Sequence, residues 1–207
     1  MVADRAAFSD SVVYMPVEQY HALDDSTDGL YEYWHGLVIM LRPPSFAYRD
    51  HALVDLAGGS PAHAALSARL ASLLDQGLPQ DSSCIVYSSD VKLKLAEDHY
   101  VHPDVAVSCA EQEEGALTQP TVLIEVLSPS TEKRDRGAKL KAYKGLPSMQ
   151  EYMLIGSEEK EIVVYRRENN WRPYHYNEGD IVELTSLHVS FPFDAVYQRI
   201  KLAQNRN

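Results

Sequence analysis

The sequence predicts a single α/β domain, and three observations lead to that fold class. Segments with the alternation of strands are interleaved with segments that have helical spacing, which is the pattern of a sheet covered by helices. The chain has 207 residues, of which 45% are hydrophobic, enough to fill one core. It shows no internal repeat and no low-complexity tract. We expect an N-terminal arm at residues 1–15 and one domain over residues 16–207.

The first elements are a short helix, a strand and a long loop. Pro16 and the following VEQYHALDD predict a helix with proline in its first turn. LYEYWHGLVIML, residues 30–41, is rich in aromatic and β-branched residues, which predicts a strand with Gly36 at a turn or bulge. Residues 42–60 contain Pro-Pro and Gly-Gly and predict a long loop or flap.

A longer helix and two strand regions follow. Ser60 and Pro61 start the helix, and Gly77 ends it. Its apolar stripe consists of Leu66, Leu70, Leu73 and Leu74. Residues 83–98 predict one or two strands, and residues 99–110, HYVHPDVAVSCA, predict the next strand.

The second half of the chain is predicted from the same criteria. It contains, in order, a strand at 121–127, a helix at 130–145, strands at 151–156 and 160–167 joined by a hairpin turn, a second hairpin over 169–186 and a closing helix at 191–200.

Composition excludes several classes of protein. No stretch approaches the roughly 18 apolar residues of a membrane span, and the N-terminus lacks the order of a secretory signal. Two cysteines, Cys84 and Cys109, form neither a disulfide framework nor a C-x-x-C zinc motif. These observations predict a soluble cytoplasmic protein with reduced cysteines and no membrane partner.

The charge is strongly negative overall but basic in one segment. A net charge of −11 argues against a function that rests on broad attraction to nucleic acid. Six of the nineteen basic residues nevertheless fall within twelve positions: Lys133, Arg134, Arg136, Lys139, Lys141 and Lys144. Such a segment can guide a polyanion to one place, although a solvated helix face is the simpler interpretation.

Two acidic residues stand in predicted strands. Glu125 lies in the middle of TVLIEVL, which is apolar on both faces, and burial of a charged carboxylate there is costly unless it is paired or binds a metal. Asp104 follows Pro103 at the beginning of VAVS, where it could also be a simple turn residue. If the two strands are neighbours, the two carboxylates supply the hard oxygen ligands that Mg²⁺ prefers.

A lysine on the following helix completes the pattern. Asp135, Lys139 and Tyr143 recur at intervals of four and share one helix face. Because the helix begins close to the end of the Glu125 strand, Lys139 can point back to the acids. The alternative is an ordinary exposed pair of Asp135 with Lys139.

These residues resemble those of the PD-(D/E)xK nuclease superfamily and, more closely, the Uma2 family, also called DUF820. The matching pieces run in family order over about residues 15–200. They are YEYWHGLVIM, His63 on the first core helix, YVHPDVAV, LIEVLSPST, RDRGAKLKAY and EYMLI. The resemblance implies a restriction endonuclease-like core, which is a central mixed β-sheet flanked by helices.

Carried over by position, the resemblance implies that Asp104 and Glu125 are metal ligands and catalytic residues. Leu127 stands where the wider superfamily has its lysine, so Lys139 would take that role, with Lys92 and Lys94 as rivals. Glu32 matches a third acidic position, although it could instead be a surface residue of its strand. For His63, a packed or half-exposed histidine is the favoured interpretation.

The residues and the resemblance together predict an endonuclease that depends on Mg²⁺ or Mn²⁺ and acts on DNA. The backbone carbonyl of Val126 is a further candidate ligand, and Lys133, Arg134 and Arg136 are candidates for contacts with flanking phosphates. A homodimer, a partner or the metal would have to supply the rest of the DNA affinity. The alternatives are a binding or interaction module that has lost catalysis and a metal-dependent hydrolase of RNA or nucleotides.

Overall fold

The computed structural model describes residues 13–45, 60–111 and 114–202, in two compact units. The first unit contains residues up to 58 together with residues 94–102, and the second contains residues 59–93 and 103–207. The predicted loop at 42–60 and the predicted arm at 1–15 lie mostly outside the described residues. Of the arm, Val13 and Tyr14 form a short strand.

The described residues of the first unit form a helix and most of a small five-stranded sheet. Helix α1 spans Val17–Ser26, and the strands are β1 (Val13–Tyr14), β2 (Leu30–Trp34), β3 (Leu37–Arg42), β5 (Leu93–Ala96) and β6 (His99–Val101), in the order β1-β3-β2-β6-β5. The β2–β3 hairpin turns at Gly36, whose φ of +100° is accessible to glycine without strain. The predicted strand at 30–41 is therefore a hairpin with its turn at the expected glycine.

The second unit is built on a six-stranded mixed sheet. Its strands are β4 (Ile85–Ser88), β7 (Val105–Ser108), β8 (Val122–Leu127), β9 (Glu151–Gly156), β10 (Ile162–Arg166) and β11 (Pro173–Tyr176). The order is β11-β10-β9-β8-β7-β4, in which β8 and β9 are parallel and the other neighbours are antiparallel. A separate two-stranded ribbon pairs β12 (Ile181–Leu184) with β13 (Val189–Pro192). A mixed central sheet in an α/β chain confirms the fold class that the resemblance implies.

Helices cover the second unit's sheet. Helix α2 (Pro61–Gly77) is capped by Ser60, whose hydroxyl accepts a hydrogen bond from the backbone N–H of His63. The buried leucines of α2 pack in the same core as alternate residues of the central strands. These leucines are Leu66, Leu70 and Leu74. The short helix α5 (Phe193–Tyr197) joins that core.

A second helical segment carries the basic residues. It consists of α3 (Glu132–Arg134), a π-helical turn (Asp135–Lys139) and α4 (Leu140–Lys144), and we call it the lysine helix, residues 132–144. Single π turns inside helices are frequent at functional sites. Here the π turn contains Asp135 and Lys139, and both side chains are buried.

Strand β8 is buried along its whole length, as its apolar sequence predicts. Residues Ile124 and Val126 belong to the core that contains α2. Alternation places Glu125 on the opposite face, where residues of the lysine helix contact it.

Three predictions about local structure are wrong. Residues 99–110 form two strands that belong to different sheets. The segment with Pro103 lies between β6 and β7 and ends the strand, since proline cannot donate a backbone hydrogen bond. The predicted hairpin over 169–186 does not form, since β11 pairs with β10 and β12 pairs with β13. The third concerns the cysteines, which were expected to be reduced.

Cys84 and Cys109 form a disulfide bond. Cys84 precedes β4 and Cys109 follows β7, and the two strands are antiparallel neighbours with Ile85 opposite Ser108. The pairing of the strands thus brings together two cysteines that are 25 positions apart.

Candidate active site

Glu125 is the buried centre of the candidate site. Glu125 lies in the middle of β8, and only 3% of its surface is exposed. The Lys139 ammonium donates to its Oε1 over 2.9 Å, and the Tyr143 hydroxyl donates to the same oxygen over 2.8 Å. Both donors come from the lysine helix, so this helix supplies the polar environment of the buried carboxylate.

Asp104 lies at the neighbouring strand. It directly precedes β7, and in the antiparallel pair of β7 with β8 Val105 is opposite Ile124. Asp104 comes just before Val105 and Glu125 just after Ile124, so both acids lie at the same end of the pair. Its Oδ2 accepts the backbone N–H of Val126 over 2.8 Å. The structure therefore brings the two predicted acids to the same part of the sheet.

His63 contacts Asp104 from the other helix. Its Nε2 lies 3.2 Å from Asp104 Oδ2, and both side chains are mostly buried. His63 stands in the first turn of α2, which Ser60 caps. The sequence favoured a packed or half-exposed histidine at this position, and its contact with a candidate ligand was not predicted.

Lys139 lies between two carboxylates. Besides Glu125, it contacts Asp135, whose Oδ1 lies 3.6 Å from Nζ. Asp135 is 1% exposed, so the interpretation of Asp135 and Lys139 as an exposed pair is wrong. The Tyr152 hydroxyl donates to the backbone carbonyl of Asp135 and fixes the helix against β9.

Burial and charge act on the ionisation of these groups. Burial raises the pKa of Glu125 to about 8; Lys139 opposes this shift, while Asp104 and Asp135 add to it. Burial also raises the pKa of Asp135, again against the effect of Lys139. Burial alone would lower the pKa of His63, but the hydrogen bond and charge of Asp104, a hydrogen bond with the Val126 backbone and the charge of Asp135 together raise it. Burial is thus the main cause of the raised pKa values of both Glu125 and Asp135.

The donor set suits a hard divalent cation with an incomplete protein shell. Mg²⁺ is usually held by one or two carboxylates together with water and substrate phosphate oxygens. Asp104 and Glu125 provide two such carboxylates, and each has one oxygen that the donors described above do not occupy. Within residues 13–45, 60–111 and 114–202, no group of three or more His, Cys, Asp or Glu side chains is arranged to hold a metal alone.

The three basic residues expected to contact phosphates differ in their surroundings. Lys133 is exposed and Arg134 is partly buried. Arg136 forms ion pairs with Glu132, over 2.8 Å, and with Glu161. Arg136 is thus already neutralised by two acids, and Lys133 is the most accessible cation of the three.

Glu32 lies in the first compact unit, on β2. It is completely buried, and its carboxylate accepts hydrogen bonds from Trp34 Nε1 over 3.2 Å and from the backbone N–H of His102 over 3.4 Å. Glu32 is therefore not a surface residue of its strand. Its place in a catalytic site stays a prediction.

The rival lysines have other surroundings. The Lys94 ammonium pairs with Glu97 Oε1 over 2.8 Å within the first unit. The backbone carbonyl of Lys92 accepts a hydrogen bond from Leu117 N–H. Lys139 is the lysine that the structure places against Glu125.

Together the fold and the site define a class: a mixed-sheet α/β protein of the restriction endonuclease-like type, with a carboxylate pair and a buried lysine. The family model described as "Uma2: Putative restriction endonuclease" matches residues 42–194, and the chain belongs to this family. The match begins after YEYWHGLVIM, so Glu32 lies outside the matched residues.

Two proteins of Synechocystis sp. are similar in sequence to this chain. The chain is 34% identical over 157 residues to the uncharacterized protein slr1290 of Synechocystis sp., covering 73% of this chain and 82% of that protein. It is 34% identical over 109 residues to the uncharacterized protein sll1609 of the same organism, covering 50% and 61%.

A solved structure supports the fold. The crystal structure of "a putative nuclease belonging to DUF820" from Anabaena variabilis superposes with a TM-score of 0.64 at 19% identity, covering 84% of this chain and 93% of that chain. In the described residues, no helix combines the length and apolar composition that a membrane crossing requires.

Proposed function

We propose that this protein is an endonuclease that hydrolyses phosphodiester bonds in DNA and depends on Mg²⁺ or Mn²⁺. The observation that carries the proposal is the contact of Lys139 with Glu125 at 2.9 Å, beside Asp104 at the start of the adjacent strand. Two carboxylates at adjacent strands of the central sheet, with an ammonium from the lysine helix, are the groups that metal-assisted phosphodiester hydrolysis uses.

Asp104 and Glu125 would hold the cation, with the carbonyl of Val126 as a further oxygen ligand. When bound, a divalent cation supplies a Lewis acid for the phosphate and lowers the pKa of a water molecule. The ammonium of Lys139, which two carboxylates orient, stabilises the negative charge that grows on the phosphate in the transition state.

The reaction consumes one water molecule. The water oxygen forms a bond to phosphorus, the bond from phosphorus to the leaving sugar oxygen breaks, and that oxygen takes up a proton. The products are a phosphate monoester and an alcohol. On the outer face of the lysine helix, Lys133 is exposed and available to a flanking phosphate, with Arg134 and Arg136 close by in sequence. A cytoplasmic location and a dimeric DNA-bound form belong to the same proposal.

A plasmid-nicking assay tests this function. Supercoiled DNA is incubated with Mg²⁺ or Mn²⁺ and the wild type, Asp104→Asn or Glu125→Gln. The controls are Asp75→Asn and Glu178→Gln, which change exposed acids. Each site variant should lose more than about 10²-fold in rate, because each loses a ligand of the group that activates water. Equal rates in all five proteins would show that the site is wrong or that a contaminating nuclease acts.

Two further measurements separate the alternatives. In a module without catalysis, Mn²⁺ titration would show no binding that depends on Glu125, or binding without nicking at any metal concentration. In a hydrolase of RNA or nucleotides, the wild type would cleave those substrates in preference to plasmid, and the same two substitutions would abolish that cleavage.

A further inference from the structure

The carboxylate of Asp104 is fixed through one of its oxygens. Oδ2 accepts the Val126 N–H from β8 over 2.8 Å, and the His63 imidazole lies 3.2 Å from the same atom. Neither contact uses Oδ1. An aspartate has few rotatable bonds, so two contacts from different directions on one oxygen determine where the other oxygen points.

His63 is itself mounted on a rigid element. Its backbone N–H donates to the Ser60 hydroxyl over 3.2 Å, and its carbonyl accepts from the Ser67 hydroxyl over 3.0 Å. One and two turns further along, α2 is anchored in the core by Leu66 and Leu70, both completely buried. The imidazole, which is 19% exposed, therefore approaches Asp104 from a helix whose position the core sets.

We infer that His63 is a positioning residue for the proposed nuclease reaction: by donating from Nε2 to Oδ2 of Asp104, it directs Oδ1 towards the cation. The inference rests on the proposed function and extends it to a residue outside the predicted catalytic set. His63 acts through Asp104 and makes no contact with the reacting atoms. Groups that orient a metal ligand in this way typically affect metal affinity or activity by about 10–100-fold.

The two amide side chains provide a geometric test of this role. The amide nitrogen of glutamine reaches about as far from the backbone as Nε2 of histidine, whereas the amide nitrogen of asparagine reaches only about as far as Nδ1. His63→Gln can therefore replace the donor, while His63→Asn and His63→Ala cannot. His175→Ala changes an exposed histidine and serves as the control.

Mn²⁺ titration calorimetry without DNA is the primary measurement. We expect His63→Ala and His63→Asn to weaken Mn²⁺ binding by about 10–100-fold, and His63→Gln and the control to stay within about threefold of the wild type. Nicking by His63→Ala should recover towards the wild-type rate at saturating Mn²⁺, because the defect lies in metal binding. Unchanged Mn²⁺ affinity in His63→Ala, or equal losses in all three His63 variants, would overturn the inference.

A metal-free double-mutant cycle separates this inference from the proposed function. His63→Ala, Asp104→Asn and the double variant are unfolded with urea, and we expect the two single effects to be clearly non-additive, since the residues are in contact. If the wild type binds no Mn²⁺, the proposed function fails and with it the metal-directing role of His63. If the wild type binds Mn²⁺ but the cycle is additive, the inference alone fails.

Discussion

In the described part of the second unit, two glutamates form buried pairs with basic residues, and the hydrogen bonding of the two pairs differs. Glu151 at the start of β9 pairs with Arg166 over 2.9 Å. Both of its oxygens are occupied: Oε1 by Arg166 and by Thr185, and Oε2 by the backbone and hydroxyl of Ser186. Arg166 in turn donates to the Tyr176 hydroxyl and the Glu183 carbonyl. This network satisfies its charged groups.

Glu125 and Lys139 are also buried, each with 3% of its surface exposed, but among the described residues the hydrogen bonds to Glu125 are distributed differently. The two donors described for Glu125 share Oε1, and two further acids, Asp104 and Asp135, act on its ionisation. A saturated buried ion pair fixes strands together, whereas an acid-rich and partly coordinated one has capacity for another cation. The comparison assigns a structural role to Glu151 and supports a functional role for Glu125.

The largest expected effect is on stability, at the saturated pair. Arg166→Met leaves Glu151 buried without its cation and removes the donor to Tyr176 and Glu183. We expect the free energy of unfolding to fall by about 3–5 kcal/mol, measured by urea denaturation, while nicking per folded molecule is unchanged. Arg172→Met, at an exposed position, is the matched control. A loss below about 1 kcal/mol, similar to that of an exposed pair, would contradict the structural role.

The next effect is on activity, at the acid-rich pair. Lys139→Met should reduce nicking by about 10²–10³-fold, because the transition state loses a preorganised cation. Mn²⁺ affinity should be retained or increased, since a positive charge leaves the metal site. Lys141→Met, on the exposed side of the same helix, is the control.

The loss of stability in Lys139→Met also tests the comparison between the two ion pairs. We expect Lys139→Met to lose less unfolding free energy than Arg166→Met, because Glu125 can take up a proton when its partner is removed. An equal stability loss together with full nicking activity would make Lys139 a second structural cation.

Some elements of the fold were predictable because sequence patterns within each element determined them. Helix α2 has its cap, its proline and its leucine stripe in the predicted places, and β8 has the continuous apolar run of a strand buried on both faces. Spacing placed Asp135, Lys139 and Tyr143 on one face of their helix, and the short connection from the Glu125 strand predicted that Lys139 points back to the acids. These features depend on residues within one element or within two elements that follow each other along the chain.

Features that depend on several elements were not predictable in the same way. The contact of His63 with Asp104 joins residues 41 positions apart on a helix and a strand end, and neither segment alone indicates it. The disulfide depends on the pairing of β4 with β7. The hairpin predicted over residues 169–186 does not form because β11 pairs with β10. The burial of Asp135 could have been predicted from the helix face that it shares with Lys139, because residues on one face of a helix contact the same surface.

The smallest expected effect concerns the pH dependence of stability in the metal-free protein. The pKa of Glu125 rises from 4.5 to about 8 on folding, chiefly through burial, so the folded protein binds a proton that the unfolded chain releases. This contribution is fully present below about pH 4.5 and is lost as the pH rises towards 8. Glu125→Gln does not titrate, so its stability relative to the wild type should increase over that window.

Urea denaturation at pH 5 and pH 8 with a chelator measures this difference, with Glu178→Gln as the exposed control. Added Mn²⁺ should then stabilise the wild type more than Glu125→Gln at pH 8, because a bound ligand stabilises only the state that binds it. A stability difference that is constant with pH would mean that Lys139 keeps Glu125 ionised throughout. In that case the second pair would resemble the Glu151 network, and the contrast between the two glutamates would rest on their hydrogen bonds alone.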